Sequence, residues 1–348
     1  MGIENLVRRA SPIIYYKNKD ITKSILPFFS SLEVTEVLEG ELDSLTLKFN
    51  NHKNNFLKND WALKKDEIVK FQIETINWES NFEGIKRNNI GNYYIDTRKF
   101  NKKIATIKAI SSPLGAKNTK NSKIWNKITL KNLGAEFATK YNLEYFYKSE
   151  KEINLTNVKQ EKQTDFSFLQ NIATREGIKL KITHSKVVLF EEELLIKKAI
   201  KKSFSIDYFE DYEINDKTDE IYDAIELTYF DTKQNKQLKA VITKSEIESG
   251  EKEESKKFQK LLKVKMRALT GDMHTLAKNI LTRENRREIE ISFTMIGLAE
   301  LYTGDVIEIS DAGEFSGRYL IIKLSHKLPK FETSVTAYKI KKEQKNDK

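Results

Sequence analysis

Short runs in which apolar and polar residues alternate constrain the fold of this chain more than any other feature. In residues 45–49, three apolar side chains alternate with two polar ones, which is the period of a strand with one buried face. Comparable runs occupy residues 67–77, 91–100 and 105–111 near the start and 304–310, 316–326 and 332–340 near the end. Short strands joined by polar turns predict antiparallel barrels or sandwiches at both ends.

Two stretches between these runs change to the helical period. Residues 129–141 place apolar side chains on one helical face after Thr129, which suits the N-cap position. Residues 165–177 repeat the pattern, with Thr164 or Asp165 able to accept bonds from the free amides of the first turn. The middle of the chain is therefore predicted to be α+β.

The remaining segments complete the predicted order of elements. Residues 178–192 form a hairpin that turns at His184, and strands return after residue 203. Residues 249–257 have nothing to bury and are predicted to be a solvated loop, and residues 272–284 form one more helix.

The chain is thus predicted to be α+β and mostly β, with two similar antiparallel β-barrel domains. The first barrel is expected at residues 1–112 and the second, with one helix, at 201–343. The α+β domain lies between them at 113–200, and the tail at 344–348 is expected to be disordered.

Two distant segments carry the same order of signals, which indicates an internal repeat. In each, an acidic residue opens a strand, a Gly-x-Tyr triplet opens the next, and a third strand follows a short polar gap. The glycine permits a positive φ, and the tyrosine is expected to bury its ring while its hydroxyl stays in water. The repeat positions are Gly91 and Tyr93 in the first copy and Gly304, Asp305, Gly317 and Tyr319 in the second.

Composition excludes several classes of protein. The 348 residues contain no cysteine, so disulfides, zinc–thiolate sites and a cysteine nucleophile are excluded. No run of about 18 apolar residues occurs, and no membrane insertion is expected. The net charge of +10 is spread along the chain, without the arginine and aromatic cluster typical of a nucleic-acid groove. No specific nucleic acid is therefore expected as a partner.

The histidines give no sign of a metal site. His52, His184, His274 and His326 are far apart, and no two of them have the spacing of a zinc motif. For His326 we expect a hydrogen bond that fixes the last hairpin.

The carboxylates do not predict catalysis either. Glu191, Glu192 and Glu193 are in principle able to bind a cation, and Asp165 with Glu176 has the residue types of an acid–base pair. Asp165 is better explained as a helix cap, eleven positions from Glu176. No glycine-rich phosphate loop or nucleophile motif is present. The chain is predicted not to be an enzyme, with no catalytic, cofactor-binding or metal-binding residues.

Three stretches in order carry a resemblance to a known family. Residues 165–182 resemble its helix and following strand, residues 272–297 its late helix and strand, and residues 301–328 its closing hairpin, with His326 in register. The helix positions that match are Asp165, Phe168, Leu169, Ala173, Glu176 and Gly177. The family is that of the phage late control D proteins. These are similar to the central hub protein of T-even phage baseplates and to the N-terminal hub part of VgrG proteins.

The resemblance implies a trimeric adaptor in the baseplate of a contractile tail or injection system, assembled in the bacterial cytoplasm. Three chains with two barrels each present six similar units, which match a six-fold tail tube to a three-fold central spike. The implied partners are the tail tube protein ring, baseplate wedge proteins and a tape-measure protein. VgrG proteins carry their spike on the same chain, and this sequence does not, so a separate spike protein is expected.

Two other functions stay open from the residues alone. One is a hub-associated protein that binds or degrades peptidoglycan, which requires paired carboxylates across a cleft. The other is a basic nucleic-acid-binding protein with salt-dependent affinity. A phage, a tailocin and a cellular injection system are all compatible with the sequence as its source.

Overall fold

One long β-sheet runs through the molecule, and three small sheets accompany it. The structure, a computed structural model, describes residues 7–58, 61–183, 185–217, 221–231, 235–249, 260–266 and 272–340. His184, residues 250–257 of the predicted loop and the tail at 344–348 lie outside the described residues.

The first region is built from strands with one buried face, as the alternating pattern predicts. In β4, Leu45, Leu47 and Phe49 are fully buried while their neighbours point outward. The elements of this region are β1 (Arg9–Tyr16), β2 (Lys19–Asp20), α1 (Thr22–Ile25), β3 (Phe29–Val37), β4 (Ser44–Asn50), β5 (Ile68–Ile76), β6 (Ile85–Phe100) and β7 (Ile104–Ile110).

The middle region contains the two predicted helices and a hairpin packed on them. Thr129 caps the first long helix by accepting a bond from the Asn132 amide at 3.1 Å. Gly134 lies where a Cβ atom would come within 2.6 Å of the Tyr145 hydroxyl, so this helix packs closely on the neighbouring strand. The elements are α2 (Leu114–Asn118), β8 (Lys120–Thr129), α3 (Leu130–Lys140), β9 (Glu144–Lys148), β10 (Asn154–Thr164), α4 (Asp165–Arg175), β11 (Lys179–Thr183), β12 (Lys186–Phe190) and α5 (Glu192–Ile196).

The last region returns to strands and carries a small inserted unit. Its predicted helix begins after Asp272, whose carboxylate accepts a bond from the Thr275 amide at 2.7 Å. The elements are β13 (Ile200–Ser205), β14 (Asp211–Asp216), β15 (Ala224–Asp231), β16 (Lys236–Thr243), α6 (Lys244–Ser249), β17 (Leu261–Met266), α7 (Met273–Glu284), β18 (Ile289–Ile296), β19 (Val306–Ser310), β20 (Gly317–Leu328) and β21 (Glu332–Lys339).

The long sheet joins the first and last regions. Its strand order is β14-β18-β21-β20-β3-β4-β7-β6-β5-β1-β2, with β19 on β20 and β13 on β19. Most pairs are antiparallel, as expected, but three are parallel: β13 with β19, β9 with β12, and β15 with β17. The fold is α+β and mostly β. The strands of the two β regions share hydrogen bonds through β20 and β3.

The hydrophobic clusters do not coincide fully with the first, middle and last regions of the chain. The cluster of the first region includes Ala299, Leu328 and Phe331 from the last region. Burial of a leucine or phenylalanine side chain stabilises the folded state by about 1.5–3 kcal/mol. The middle region has its own cluster, and α7 packs on the inserted strands in another. The two β regions are therefore joined by side-chain packing as well as by backbone pairing.

Candidate functional site

The two β regions contain the same five-stranded unit. In the first, the strands lie in the order β3-β4-β7-β6-β5, and in the last in the order β14-β18-β21-β20-β19. Each strand of the first order has its counterpart at the same place in the second. We call these the first and second repeat units.

The central hairpins of the two units match at their bulges. Gly91 in β6 and Gly317 in β20 have φ values of +139° and +140°, in the region that favours glycine. The pairing of β6 with β7 shifts just after Ile95, and the pairing of β20 with β21 shifts just after Ile321. The residue opposite the shift is an alanine in both units. A bulge at one matched place bends both strands alike.

The start of the preceding strand is also matched. In both units two crossed backbone hydrogen bonds, of 2.8 and 3.0 Å, tie this start to the bulge. In the first unit they run from Asp66 N to Ile95 O and from Ile95 N to Glu67 O. In the second unit they run from Gly304 N to Ile321 O and from Ile321 N to Asp305 O. Gly304 therefore stands where the first unit has Asp66, and Asp305 where it has Glu67. The turn residues Asp66 and Gly304 both have a positive φ, of +64° and +85°.

The repeat tyrosines differ from the expectation in one respect. The rings of Tyr93 and Tyr319 are fully buried, as expected. The hydroxyls, however, do not stay in water, because Tyr93 donates to the Ile90 carbonyl at 3.5 Å and Tyr319 to the Phe315 carbonyl at 2.5 Å. Burial raises the pKa of Tyr319 to about 12. In each case the acceptor is a backbone carbonyl three or four residues before the tyrosine, which the sequence pattern does not reveal.

The two units meet where the second half of β20 pairs with β3. Leu328 lies opposite Leu32, and Ser325 opposite Thr35, with 3.3 Å between the two hydroxyl oxygens. Only half of β20 is available to β3, because its first half pairs with β19 along the same edge. The sheet therefore passes from one unit to the next through this pair of strands.

His326 lies in this junction and fixes the last hairpin. It is fully buried, and its Nδ1 lies 2.9 Å from the hydroxyl of Thr333, directly opposite on β21. Burial lowers the pKa of His326 to about 3, so the imidazole is neutral at physiological pH. Its Nε2 atom is buried with no hydrogen-bond partner among the described residues.

Asp165 of the middle region serves as an anchor for side chains from several elements. It is the first residue of α4, and Thr164 holds the N-cap position without a side-chain cap bond. Burial raises its pKa, but hydrogen bonds outweigh this and lower it below the ordinary value. The donors to its carboxylate, at 2.6–2.9 Å, are Asn121, Lys140, Tyr141 and Gln160.

The other motif residues of α4 have structural surroundings. Phe168, Leu169 and Ala173 lie in the cluster of the middle region, and Gly177 ends the helical segment with φ of +73°. Glu176 is partly buried, which raises the pKa of its carboxyl.

The three glutamates considered for cation binding have different partners. Glu191 accepts from the Ser149 hydroxyl at 2.5 Å and pairs with Lys151 at 2.9 Å. Glu192 is 2% exposed and is paired with Arg286. Glu193 is exposed and pairs with the same guanidinium at 2.6 Å. Among the described residues, no group of three or more His, Cys, Asp or Glu side chains is arranged to hold a metal ion.

Glu192 is the centre of an ion-pair cluster that joins all three regions. Besides Arg286, it contacts Lys179 at 2.8 Å and accepts from the Tyr338 hydroxyl at 2.8 Å. Lys179 reaches Glu39 of the first region at 2.5 Å. Burial raises the pKa of Glu192, but the two cations outweigh it and lower the pKa below its ordinary value. The cluster fixes the middle region against both repeat units.

A second polar cluster lies in a cleft of about 390 Å³ between the regions. Glu36 on β3 is 2% exposed there, near Asp43 and Lys181. Lys181 binds Asp43 at 3.0 Å and the Thr303 hydroxyl at 3.0 Å. Burial, together with the charge of Asp43, raises the pKa of Glu36 to about 7.

This raised pKa predicts a loss of stability as the pH rises. The folded chain holds a proton on Glu36 at pH values where the unfolded chain has released it, so the free energy of unfolding falls from about pH 4.5 to about pH 7. Replacing Glu36→Gln is expected to remove this fall and to stabilise the protein at pH 8 by roughly 2–3 kcal/mol. Urea unfolding at pH 5 and pH 8 measures the effect.

Glu33→Gln provides the matched control, because Glu33 lies on the same strand but is exposed. It is expected to leave the pH dependence of stability unchanged. Equal pH profiles for the wild type and Glu36→Gln would contradict the prediction.

None of the described helices combines the length and the apolar character that a membrane crossing requires. No protein-family model matches this sequence, and neither does any curated protein.

Solved structures are similar to this chain over almost its whole length. A tail protein from Neisseria meningitidis MC58 superposes with a TM-score of 0.68 at 10% identity, covering 95% of this chain and 97% of that one. The 43 kDa tail protein of prophage MuSo2 from Shewanella oneidensis gives a TM-score of 0.67 at 13% identity, covering 95% and 98%.

A third similar structure comes from a secretion machine. It is a component of the Escherichia coli type VI secretion system that is itself structurally similar to the T4 bacteriophage tail proteins gp27 and gp5. The TM-score is 0.53 at 8% identity, over 97% of this chain and 76% of that one. At these identities the likeness concerns the fold. The chain therefore has the fold of phage tail proteins and of a related type VI secretion component.

Proposed function

We propose that this chain is a structural hub subunit in the baseplate of a contractile tail or injection system. Three chains form an adaptor that joins the six-fold tail tube to the three-fold central spike. The observation that carries the proposal is the matched pair of repeat units, in a chain whose fold is that of phage tail proteins. Support comes from the resemblance of residues 165–182, 272–297 and 301–328 to the late control D proteins.

Symmetry explains why such a subunit carries two similar units. A six-fold ring presents six equal surfaces, and three copies of a chain with two matched units present six similar surfaces in return. The two units also differ, because the second carries the inserted β15–β17 and α7. Three copies of the chain therefore keep three-fold symmetry, which matches the spike. The domain division proposed for this role is 1–112, 113–200 and 201–343.

The proposed partners follow from this position. The repeat units contact the tail tube protein ring on one side, and a separate spike protein binds on the other. Wedge proteins surround the hub, and the tape-measure protein ends at it. The proposed location is the baseplate of the virion or injection particle, after assembly in the bacterial cytoplasm. The role is mechanical, with shape and charge complementarity in place of catalysis.

Electron microscopy of the purified protein tests this function. Class averages viewed along the symmetry axis are expected to show a ring with a central opening and six similar densities around it, alternating in a three-fold pattern. Averages without an opening, or with two-fold symmetry, would overturn the proposal.

A further inference from the structure

The β20–β3 junction inside one chain shows which strand edge each repeat unit uses to pair with the other. The second unit contributes the free half of an edge on β20, and the first contributes the edge strand β3. Three successive pairs of this junction are Leu324 with Glu36, Ser325 with Thr35, and His326 with Val34.

The repeat contains a counterpart of each junction edge. The counterpart of β20 is β6, where Ile95 matches Ile321, so that Lys99 matches Ser325. The counterpart of β3 is β14, because Val34 and Ile214 pair with the matched positions of β4 and β18. Asn215 therefore matches Thr35.

Part of the first counterpart edge and all of the second have no strand partner among the described residues. β5 pairs with β6 only up to Tyr94, so within the described ranges no strand pairs with residues 97–100 on that edge. On the other side, β18 is the one strand that pairs with β14 in the described part of the chain. Tyr212 of β14 is 50% exposed, whereas its counterpart Leu32, covered by β20, is 1% exposed. An exposed strand edge is a template for pairing with another chain.

We propose that β6 of one copy of this chain pairs with β14 of the next, which repeats the β20–β3 junction between molecules. The register carried over from that junction sets Arg98 opposite Asp216, Lys99 opposite Asn215 and Phe100 opposite Ile214. The contact joins two different edges, so it runs head to tail, and the proposal is that successive contacts close into a ring. The number of chains in the ring rests on the proposed function.

The charges of the two edges are complementary. Residues 98–103 carry four basic side chains and no acidic one, and residues 210–216 carry four acidic side chains and no basic one. In the single chain, the Nε atom of Arg98 is buried without a hydrogen-bond partner among the described residues. Asp216 is exposed. Arg98 also donates from Nη1 to the Leu63 carbonyl at 3.1 Å. The proposed register brings the Asp216 carboxylate beside this guanidinium, so that opposite charges meet across the contact.

Engineered cysteines test the register directly, because the chain contains no native cysteine. The double variant Lys99→Cys/Asn215→Cys places a thiol at an exposed position on each edge, and the proposed register sets the two opposite each other. Oxidation is expected to give a covalently closed three-chain species on a denaturing gel, which a reducing agent returns to single chains. Each single variant is expected to stay unlinked.

A matched double variant, Thr97→Cys/Glu213→Cys, controls for chance encounters. Its positions are exposed and lie on the same strands and the same face, but they are about 13 Å out of register, beyond the reach of a disulfide. It is expected to stay unlinked. Three-chain particles that do not cross-link at Lys99 and Asn215 overturn the proposed junction and leave the hub function intact. Cross-linked rings with another number of chains support the junction and overturn the three-fold hub.

A charge reversal gives a second readout that needs no oxidation. Asp216→Lys faces Arg98 with a like charge, and we expect the dissociation constant of the ring to rise at least tenfold. Asp207→Lys makes the same charge change at an exposed site outside β14 and is expected to leave assembly unchanged. Equal effects of the two variants would contradict the proposed pairing.

Discussion

Replacing Glu192→Gln is expected to lower the free energy of unfolding by about 3 kcal/mol or more. The substitution keeps the shape of the side chain but removes the charge that Arg286 and Lys179 surround. Both cations are then held in a poorly solvated site, with Glu39 and Glu193 as their remaining partners. Loss of one partner of a buried ion pair is costly because the other charge stays desolvated.

Glu193→Gln is the control for this prediction. Glu193 pairs with the same guanidinium, but its side chain is 48% exposed, so its loss is expected to cost well under about 1 kcal/mol. Chemical unfolding at neutral pH measures both variants.

The pH dependence gives a further check on the same pair of variants. The pKa of Glu192 is lower in the folded state, so its contribution is present above the ordinary glutamate pKa and is lost as the pH falls through the folded value. The difference between the wild type and Glu192→Gln is therefore expected to shrink in acid. Equal stabilities of the two glutamine variants at neutral pH would show that the cluster does not hold the regions together.

His326 is expected to make the fold sensitive to acid. Its pKa is lowered to about 3 in the folded state, below the ordinary value of 6.5. Below pH 6.5 the unfolded chain takes up a proton that the folded chain does not, so the free energy of unfolding falls as the pH drops. The loss attributable to this residue is about 2 kcal/mol at pH 5 and approaches about 4–5 kcal/mol near pH 3.

The variant His326→Phe isolates this contribution. It introduces the residue that stands at the matched position of the first unit, Phe100. Thr333 keeps a partner in the Leu298 amide, at 2.8 Å. Loss of the hydrogen bond to His326 is expected to cost about 1–2 kcal/mol at pH 7.

The stability difference is then expected to close or reverse by pH 4. His52→Gln, at an exposed turn, is the control and should follow the wild type at every pH. Parallel pH profiles for the wild type and His326→Phe would contradict the assignment.

Local signals predicted the regular elements well. The helices α3, α4 and α7 were identified because each has an apolar face and a capping residue in the sequence. The matched hairpins of the repeat were visible because Gly-x-Tyr occurs at the same place in both. These features depend on residues close together in the chain, where period and turn chemistry act directly.

Other strands were missed because their sequences lack an apolar face. β8 and β10 pair with each other but leave most of their side chains in water, so no alternation marks them. β14 is an acidic edge strand with exposed residues on both faces. An edge strand of this kind is recognised only in the folded structure, where its neighbouring strands are known.

The polar clusters that join the regions were also not predictable from the sequence. Glu192 and Arg286 are 94 positions apart, and nothing local indicates that they meet. Glu192 looked like one of three equivalent acidic residues, yet its neighbours Glu191 and Glu193 are bound elsewhere or exposed. Long-range pairing decides which carboxylate is buried, and only the fold sets that pairing.

The absolute mass of the purified protein, measured by light scattering across a concentration series, tests the central claim most directly. A ring of three chains predicts a mass three times the 40.6 kDa of one chain, about 122 kDa. That mass should persist on dilution and fall when the β6–β14 junction is disrupted by Asp216→Lys. A mass of one chain at every concentration would contradict the hub.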